Sequence, residues 1–212
     1  MDTIQKDSGQ DSLPVLVFAT HNPNKVRELQ EMLGHKYRIQ SLTDIGCLED
    51  IVEDAQTLEG NAKIKARHVV QHYGLDCFAD DTGLEVDALG GAPGVWSARY
   101  AGNHGDAEAN MNKLLSELDR AGAQTPEARK AQFRTVICLV RGEKEHLLEG
   151  VCQGSIASQK SGVKGFGYDP LFIPKGLTCS FAEMTPKDKN AISHRGRAVQ
   201  AMVDVLLGSP SE

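Results

Sequence analysis

Broad positive charge is the first thing this sequence lacks. Its 23 Lys and Arg stand against 29 Asp and Glu, for a net charge of −6, which excludes the basic surface that general nucleic-acid or anionic-membrane binding needs. Long apolar runs are also missing. The longest are about five residues against the roughly 20 that span a bilayer, and no basic stretch followed by an apolar core opens the chain. The expectation is a cytoplasmic protein with no nucleic acid and no membrane among its partners. The five cysteines, Cys47, Cys77, Cys138, Cys152 and Cys179, are odd in number and contain no Cys-x-x-Cys pair. Neither a disulfide framework nor a zinc site is indicated, and they read as reduced, mostly buried small hydrophobes. Aromatic residues make up only 5%, with one tryptophan, Trp96, which reads as core or interface. No repeat, low-complexity tract or linker divides the 212 residues. The expected organisation is a single domain over 13–208, with polar tails at 1–12 and 209–212 too poor in apolar surface to offset ordering entropy.

What is present alternates between the helical and strand periods. Val15 to Ala19 is an apolar run of strand length, followed by the helical stripe Val26, Leu29, Met32, Leu33. A helix is predicted from Thr57 to Tyr73, stopped by Gly74, then a strand Asp76 to Ala79, a second strand Leu84 to Leu89 and a tight turn Gly90-Gly91-Ala92-Pro93-Gly94. Another helix covers Ala107 to Leu118, and Ala131 to Val140 and His146 to Ser158 form a hairpin. Helices interleave with strands in the first half and a hairpin dominates the second. The fold class expected is α/β, with a mixed central sheet flanked by helices.

Two helix starts carry charge of the disfavoured sign. Ser193 reads as an N-cap for a helix with Ala198, Val199, Met202, Val203, Leu206 and Leu207 on its apolar face. His194 and Arg195 then occupy its first two positions, where the macrodipole is positive, and Gly196 costs roughly 1 kcal/mol more than Ala in the same turn. Rules broken together mark a functional site, here a pocket for something anionic or rich in carbonyl oxygens. The same violation recurs in Thr20-His21-Asn22-Pro23-Asn24-Lys25. With Asn22 as N-cap and Pro23 first in the helix, Lys25 sits in the first turn, as in a phosphate cradle. The Gly-x-x-x-x-Gly-Lys-Ser/Thr pattern of a P-loop is absent.

Acidic residues supply the complementary chemistry. Asp80-Asp81 closes the strand ending at Ala79 and precedes Thr82-Gly83. Adjacent strand residues point to opposite faces, so one aspartate faces the site while the other supports it. A carboxylate at a strand's carboxyl end suits Mg²⁺, which takes one or two carboxylates plus phosphate oxygens. Glu49, Asp50, Glu53 and Asp54 form an acidic patch that could add a ligand. His68 and His72 have the i, i+4 spacing of a zinc motif, but Val69-Val70-Gln71 lacks the glutamate of His-Glu-x-x-His and no third ligand is in view, which favours a plain helix surface. In Gly162 to Asp169 three glycines let the backbone approach a ligand, and Phe166 and Tyr168 offer aromatic faces on which a base could stack.

These segments, together with Glu59-Gly60-Asn61-Ala62-Lys63-Ile64-Lys65-Ala66, Ser97-Ala98-Arg99-Tyr100, Gly165 to Pro170 and Ser193-His194-Arg195-Gly196, occur in an order and spacing by which the chain resembles the inosine triphosphate pyrophosphatase family over Val15 to Leu207. The resemblance implies an elongated two-lobed α/β fold that forms a homodimer. It also implies Mg²⁺-dependent hydrolysis of ITP, dITP and XTP to the monophosphate and pyrophosphate. By resemblance, Thr20, His21, Asn22, Pro23, Asn24 and Lys25 hold the triphosphate, and Asp81 binds metal and acts as base. Thr82, Phe166, Gly167, Tyr168, Asp169, Lys189, His194 and Arg195 contact substrate, and Glu53 takes the second metal-ligand position, which Glu49 or Asp54 could also fill. Position 60 departs from the pattern, being Gly where many members have Glu. The alternatives are a nucleotide-binding module without turnover and a pyrophosphatase of modified pyrimidine nucleotides.

Overall fold

The structure, a computed structural model, describes residues 13–33, 36–103 and 105–208, with the backbone alone at Asn24, Glu28, Glu31 and Met32. The tails expected at 1–12 and 209–212 lie outside the described residues. The chain order is β1 (Val15–Phe18), α1 (Pro23–Leu33), β2 (Arg38–Gln40), α2 (Leu58–Tyr73), β3 (Cys77–Val86), β4 (Pro93–Gly94), α3 (Ala107–Arg120), β5 (Lys130–Arg141), β6 (Lys144–Ile156), β7 (Phe172–Pro174), α4 (Pro186–Ile192) and α5 (His194–Leu207). The strands form one sheet in the order β2-β1-β3-β5-β6-β7, with the short β4 also pairing β3. β1 runs parallel to β2 and β3, and the remaining pairs are antiparallel. The mixed sheet is the one the element pattern implied.

Three hydrophobic clusters hold the sheet to its helices. At the β1 end, Val17, Ala19, Cys77, Ala79, Val136 and Cys138 pack on Ala62, Ala66 and Val69 of α2. Through the sheet, Leu16, Phe18, Phe78, Ile137 and Leu139 meet Leu29 and Leu33 of α1 and Ala198, Val199 and Met202 of α5. At the far end Leu84, Val86, Phe133 and Ile156 enclose Leu114 and Leu118 of α3 together with Phe172 and Phe181. One face of β3 therefore reads Phe78, Asp80, Thr82, Leu84, Val86. It is apolar at both ends and polar in the middle, so Asp80 and Thr82 mark the seam between two cores.

The sequence expectation differs from the structure at that seam. Two separate strands, Asp76 to Ala79 and Leu84 to Leu89, are expected from the sequence, but β3 is continuous and pairs with β5 at every residue from Cys77 to Val86. Gly83 serves a close approach: a Cβ there would lie 2.6 Å from the Gly94 carbonyl oxygen, so the side-chain hydrogen admits β4 to the edge of β3. Beyond Val86, Asp87–Leu89 is a single 3-10 turn rather than strand. Trp96 is not core. It is 43% exposed, with the Arg99 guanidinium 4.5 Å from its ring centroid.

Helix ends fall where capping chemistry places them. The Thr57 hydroxyl oxygen accepts from Gly60 N at 3.1 Å, and the Ser193 oxygen accepts from Gly196 N at 3.1 Å. Gly196 itself answers to packing, because a Cβ there would collide with the Asn190 carbonyl oxygen. The glycine lets α4 and α5 meet at a tight corner.

Candidate active site

Along β3 the edge away from β5 is only partly paired. β1 reaches as far as Phe18 opposite Phe78, Ala19 N adds a hydrogen bond to Phe78 O at 2.9 Å, and β4 resumes pairing at Leu84. The stretch between, which carries Asp80, Asp81 and Thr82, fronts the loop from β1 to α1 on one side and α2 on the other. Lys65 Nζ from α2 donates to the Asp80 carbonyl at 2.7 Å and to Glu53 Oε2 at 2.8 Å.

Strand alternation sends the two aspartates into different surroundings. Asp80, on the Phe78 face, is buried and accepts from Lys25 Nζ at 2.8 and 3.0 Å, with Arg195 Nε 3.5 Å away. Burial pushes its pKa up, but Lys25, Arg195 and Lys65 outweigh that and hold the carboxyl well below the usual range. Burial in turn pulls down the Lys25 ammonium, aided by Arg195 and opposed by Asp80. Asp81, on the Ala79 face, accepts from Asn61 Nδ2 at 3.0 Å and from Thr82 N at 2.9 Å. Here burial dominates and, with Glu53 nearby, raises the carboxyl to about 6 against the opposing pull of Lys65 and Asn61.

On the Thr82 side of the seam a cavity of about 420 Å³ opens between the sheet and the α4–α5 corner. Thr82, Phe133, the 166–169 loop, Lys189, His194 and Arg195 are among the residues that line it. Its volume suits a small organic ligand. His194 Nδ1 is buried there without a hydrogen-bond partner, and Arg195 Nε, also without a hydrogen bond, has the Asp80 carboxylate 3.5 Å away as its ion-pair partner. Buried polar atoms are nearly always paired, so the unpaired imidazole nitrogen on this wall points to a ligand. The expectation of two cations fails at His194. Its ring is 5% exposed and stacks on Phe133 at 4.5 Å. Burial, reinforced by Arg195 and Lys189, holds its pKa well below the usual imidazole range and leaves it neutral.

The aromatic loop divides its labour differently from the expectation as well. Phe166 is 63% exposed, with Lys189 Nζ 4.9 Å and the Arg195 guanidinium 5.4 Å from its ring centroid. Tyr168 offers no open face for stacking: it is buried in the far core and its hydroxyl donates to Ser97 O at 2.9 Å. Asp169, 2% exposed, accepts from Phe166 N at 2.8 Å and from Lys189 Nζ at 2.5 Å, so its carboxylate shapes the loop around Gly167.

In the Thr20 to Lys25 turn, Asn22 N donates to Thr20 Oγ1 at 3.1 Å and Lys25 N to Asn22 Oδ1 at 3.4 Å, the cap expected there. Pro23 opens α1, and the side chain of Asn24 lies outside the described residues. His21 faces the next loop, with Nδ1 3.3 Å from Thr43 Oγ1 and Nε2 3.2 Å from Glu49 O. Among the acidic candidates Glu53 alone is held at Lys65 beside Asp81, whereas the Glu49 carboxylate lies 3.2 Å from His68. Asn61 and Lys65 were not singled out as site residues. Their signal was their i, i+4 spacing on one face of α2 inside a quoted motif. Arg99, which donates to Glu53 O at 3.2 Å, was likewise passed over.

Comparison with known proteins identifies the family of the chain. The family model described as Ham1 family matches residues 16–205. A Flavobacterium psychrophilum protein named dITP/XTP pyrophosphatase is 53% identical over 189 residues, covering 89% of this chain and 97% of its own. One of the same name from Porphyromonas gingivalis is 55% identical over 192 residues, covering 91% and 97%. The solved structure of a HAM1 protein from Coxiella burnetii superposes with a TM-score of 0.86 at 38% identity, over 92% of this chain and all of the other. With a family match running almost from end to end and relatives more than half identical over nearly the whole chain, the chain belongs to the Ham1 family.

Proposed function

We propose that this protein is a nucleotide-pool sanitising pyrophosphohydrolase. It hydrolyses the noncanonical purine nucleoside triphosphates ITP, dITP and XTP to the monophosphate and pyrophosphate, with Mg²⁺, in the cytoplasm and as a homodimer. The names of the relatives support the reaction class. The observation that carries it is the Asp81 carboxylate, held by Asn61 Nδ2 and Thr82 N on the open edge of β3 with the Glu53–Lys65 pair nearby. A fixed carboxylate with a hard-oxygen neighbour is what binding a divalent ion and activating water require.

The purine enters the cavity beside Phe166. The Arg195 guanidinium donates to an acceptor on the six-oxo edge of hypoxanthine or xanthine, and neutral His194 donates or accepts there according to its tautomer. Adenine presents an amino donor at that position, leaving the Arg195 donor unpaired and ATP a poor substrate. Phosphates extend along the β3 edge, where Lys25 and Lys65 neutralise their oxygens. Asp81, oriented by Asn61 Nδ2 and Thr82 N, takes the proton of the water that attacks the α-phosphorus. The bond to the bridging oxygen breaks and pyrophosphate leaves.

The donor set fits Mg²⁺: Asp81 and Glu53 are hard oxygen ligands whose mutual repulsion, part of the cause of Asp81's raised pKa, a dication relieves. Asp81 and Glu53 would hold the ion, which would neutralise charge at the phosphates and lower the pKa of a bound water.

The test is a pyrophosphate-release panel over ITP, XTP, dITP, GTP, ATP and dTTP. ITP, XTP and dITP are expected to turn over and ATP and dTTP to react poorly. Equal turnover of ITP and ATP, or release of phosphate alone, contradicts the reading. EDTA should abolish turnover and Mg²⁺ alone restore it; full activity in metal-free protein overturns the metal requirement.

A further inference from the structure

The His68 and His72 pair of α2 is not the unit that matters in that region. His72 stacks on His68 with ring centroids 4.2 Å apart and turns its Nδ1 to the His68 carbonyl at 2.9 Å, the contact of a helix residue with its own preceding turn. His68 instead directs Nε2 at the loop before α2. There it lies 3.9 Å from Cys47 Sγ and 3.2 Å from Glu49 Oε1, and the three ligand atoms all fall within 4.8 Å of one another. The third ligand that the sequence did not bring into view comes from a loop about 20 residues upstream.

We propose that Cys47, Glu49 and His68 form a binding site for a borderline-soft divalent transition ion of the Zn²⁺ class. It is distinct from the hard-oxygen Mg²⁺ site at Asp81 and Glu53. Zinc binds sulfur at about 2.3 Å, imidazole nitrogen at about 2.0–2.1 Å and carboxylate oxygen at about 2.0–2.2 Å, so a tetrahedral site has ligand–ligand edges of roughly 3.3 to 3.6 Å. The His68–Glu49 and His68–Cys47 separations of 3.2 and 3.9 Å lie either side of that range, and the three atoms, all within 4.8 Å, must draw together to bind, with the exposed Glu49 side chain free to move. A thiolate, a carboxylate and a neutral imidazole also sum to the charge that balances a dication. Three protein ligands leave the fourth position to solvent. The thiolate makes the site selective, because Mg²⁺ does not compete for sulfur.

The ion would fasten three parts of the molecule. Cys47 and Glu49 lie on the loop that continues to Glu53. The Glu49 carbonyl contacts His21 of the β1–α1 turn at 3.2 Å, and His68 lies on α2 one turn beyond Lys65, which holds both Glu53 and the Asp80 carbonyl. Occupancy therefore stiffens the loop that presents Glu53.

The experiment uses the full-length, chelator-stripped protein titrated with Co²⁺ as a spectroscopic probe. A single equivalent of Co²⁺ is expected to give a thiolate-to-cobalt charge-transfer band that Zn²⁺ displaces and excess Mg²⁺ does not. Zn²⁺ should raise Tm in the wild type and leave it unchanged in Cys47→Ser. Glu49→Gln, at an exposed position that spares the fold, and His68→Gln should each weaken Zn²⁺ binding by about tenfold or more. Absence of the band overturns the proposal. So does a band that persists in Cys47→Ser, which would place the metal at another cysteine such as the partly exposed Cys179. If Cys47→Ser does not fold, unchanged Zn²⁺ affinity in both Glu49→Gln and His68→Gln overturns it as well.

Discussion

Asp80 and Asp81 are neighbours in the chain, the first buried and the second partly so, yet their carboxyls are driven in opposite directions. Burial raises the pKa of each. Around Asp80 three cations, Lys25, Arg195 and Lys65, overwhelm that effect, while around Asp81 the single lysine and the Asn61 amide, opposed by Glu53, do not offset burial. Neighbours rather than depth decide the outcome, and β alternation is the device that gives adjacent residues different neighbours. One face of β3 thus carries a permanent anion that anchors the cations of both half-sites, and the other a carboxyl that can exchange a proton near neutral pH.

The sharpest way to break this contrast is to remove each carboxylate in turn. Asp81→Asn should lower kcat on ITP by ~10² to 10⁴ because the base is lost. Its folded stability at neutral pH should hold or rise, since ionising a carboxyl whose folded pKa is about 6 costs the folded state above that pH. Asp80→Asn should reverse the pattern. It strands Lys25 and Arg195 and should cost about 2 to 3 kcal/mol, less than the ~3–5 of a fully buried pair because the Lys25 side chain keeps 26% exposure. That stabilisation by Asp80, whose folded pKa is depressed, is present above about pH 4, the ordinary carboxylate value, and is lost as pH falls toward its folded value. Steady-state kinetics and thermal melts on both variants check this, and equal effects in both assays would erase the distinction.

A smaller effect is expected at the cavity wall. Arg195→Ala removes a charge-assisted donor worth about 1.5–3 kcal/mol, so the ratio of kcat/KM for ITP over ATP should narrow about tenfold to a hundredfold. Equal loss on both substrates would assign Arg195 to phosphate binding or folding. The smallest effects separate the two aromatics of the loop. Phe166→Ala should raise KM with stability unchanged. Tyr168→Phe should leave KM alone and cost about 0.5–1.5 kcal/mol for the hydroxyl bond to Ser97, read from melts.

Local rules made much of this legible in the sequence. The opposite facing of Asp80 and Asp81 follows from a period of two, and the Asn22 and Ser193 caps fix where Lys25, His194 and Arg195 stand. What escaped was long-range. Gly83 looks like a turn until β4 is seen lying against it, and Gly196 looks like a concession to ligand until Asn190 is seen behind it. His194 reads as a cation because nothing nearby in sequence announces Phe133. α4 was not foreseen, being short and with no buried residue along it. Choosing Glu53 over Glu49 requires Lys65 and His68 to be placed in space, as does pairing His68 with Cys47.

The division between the two aspartates is tested most directly by following their side-chain carboxyl resonances through a pH titration of the metal-free protein by NMR. Asp81 should titrate near pH 6 while Asp80 stays ionised through the whole range over which the protein remains folded. Both carboxyls titrating together near pH 4, or Asp80 titrating near 6 in place of Asp81, would contradict it.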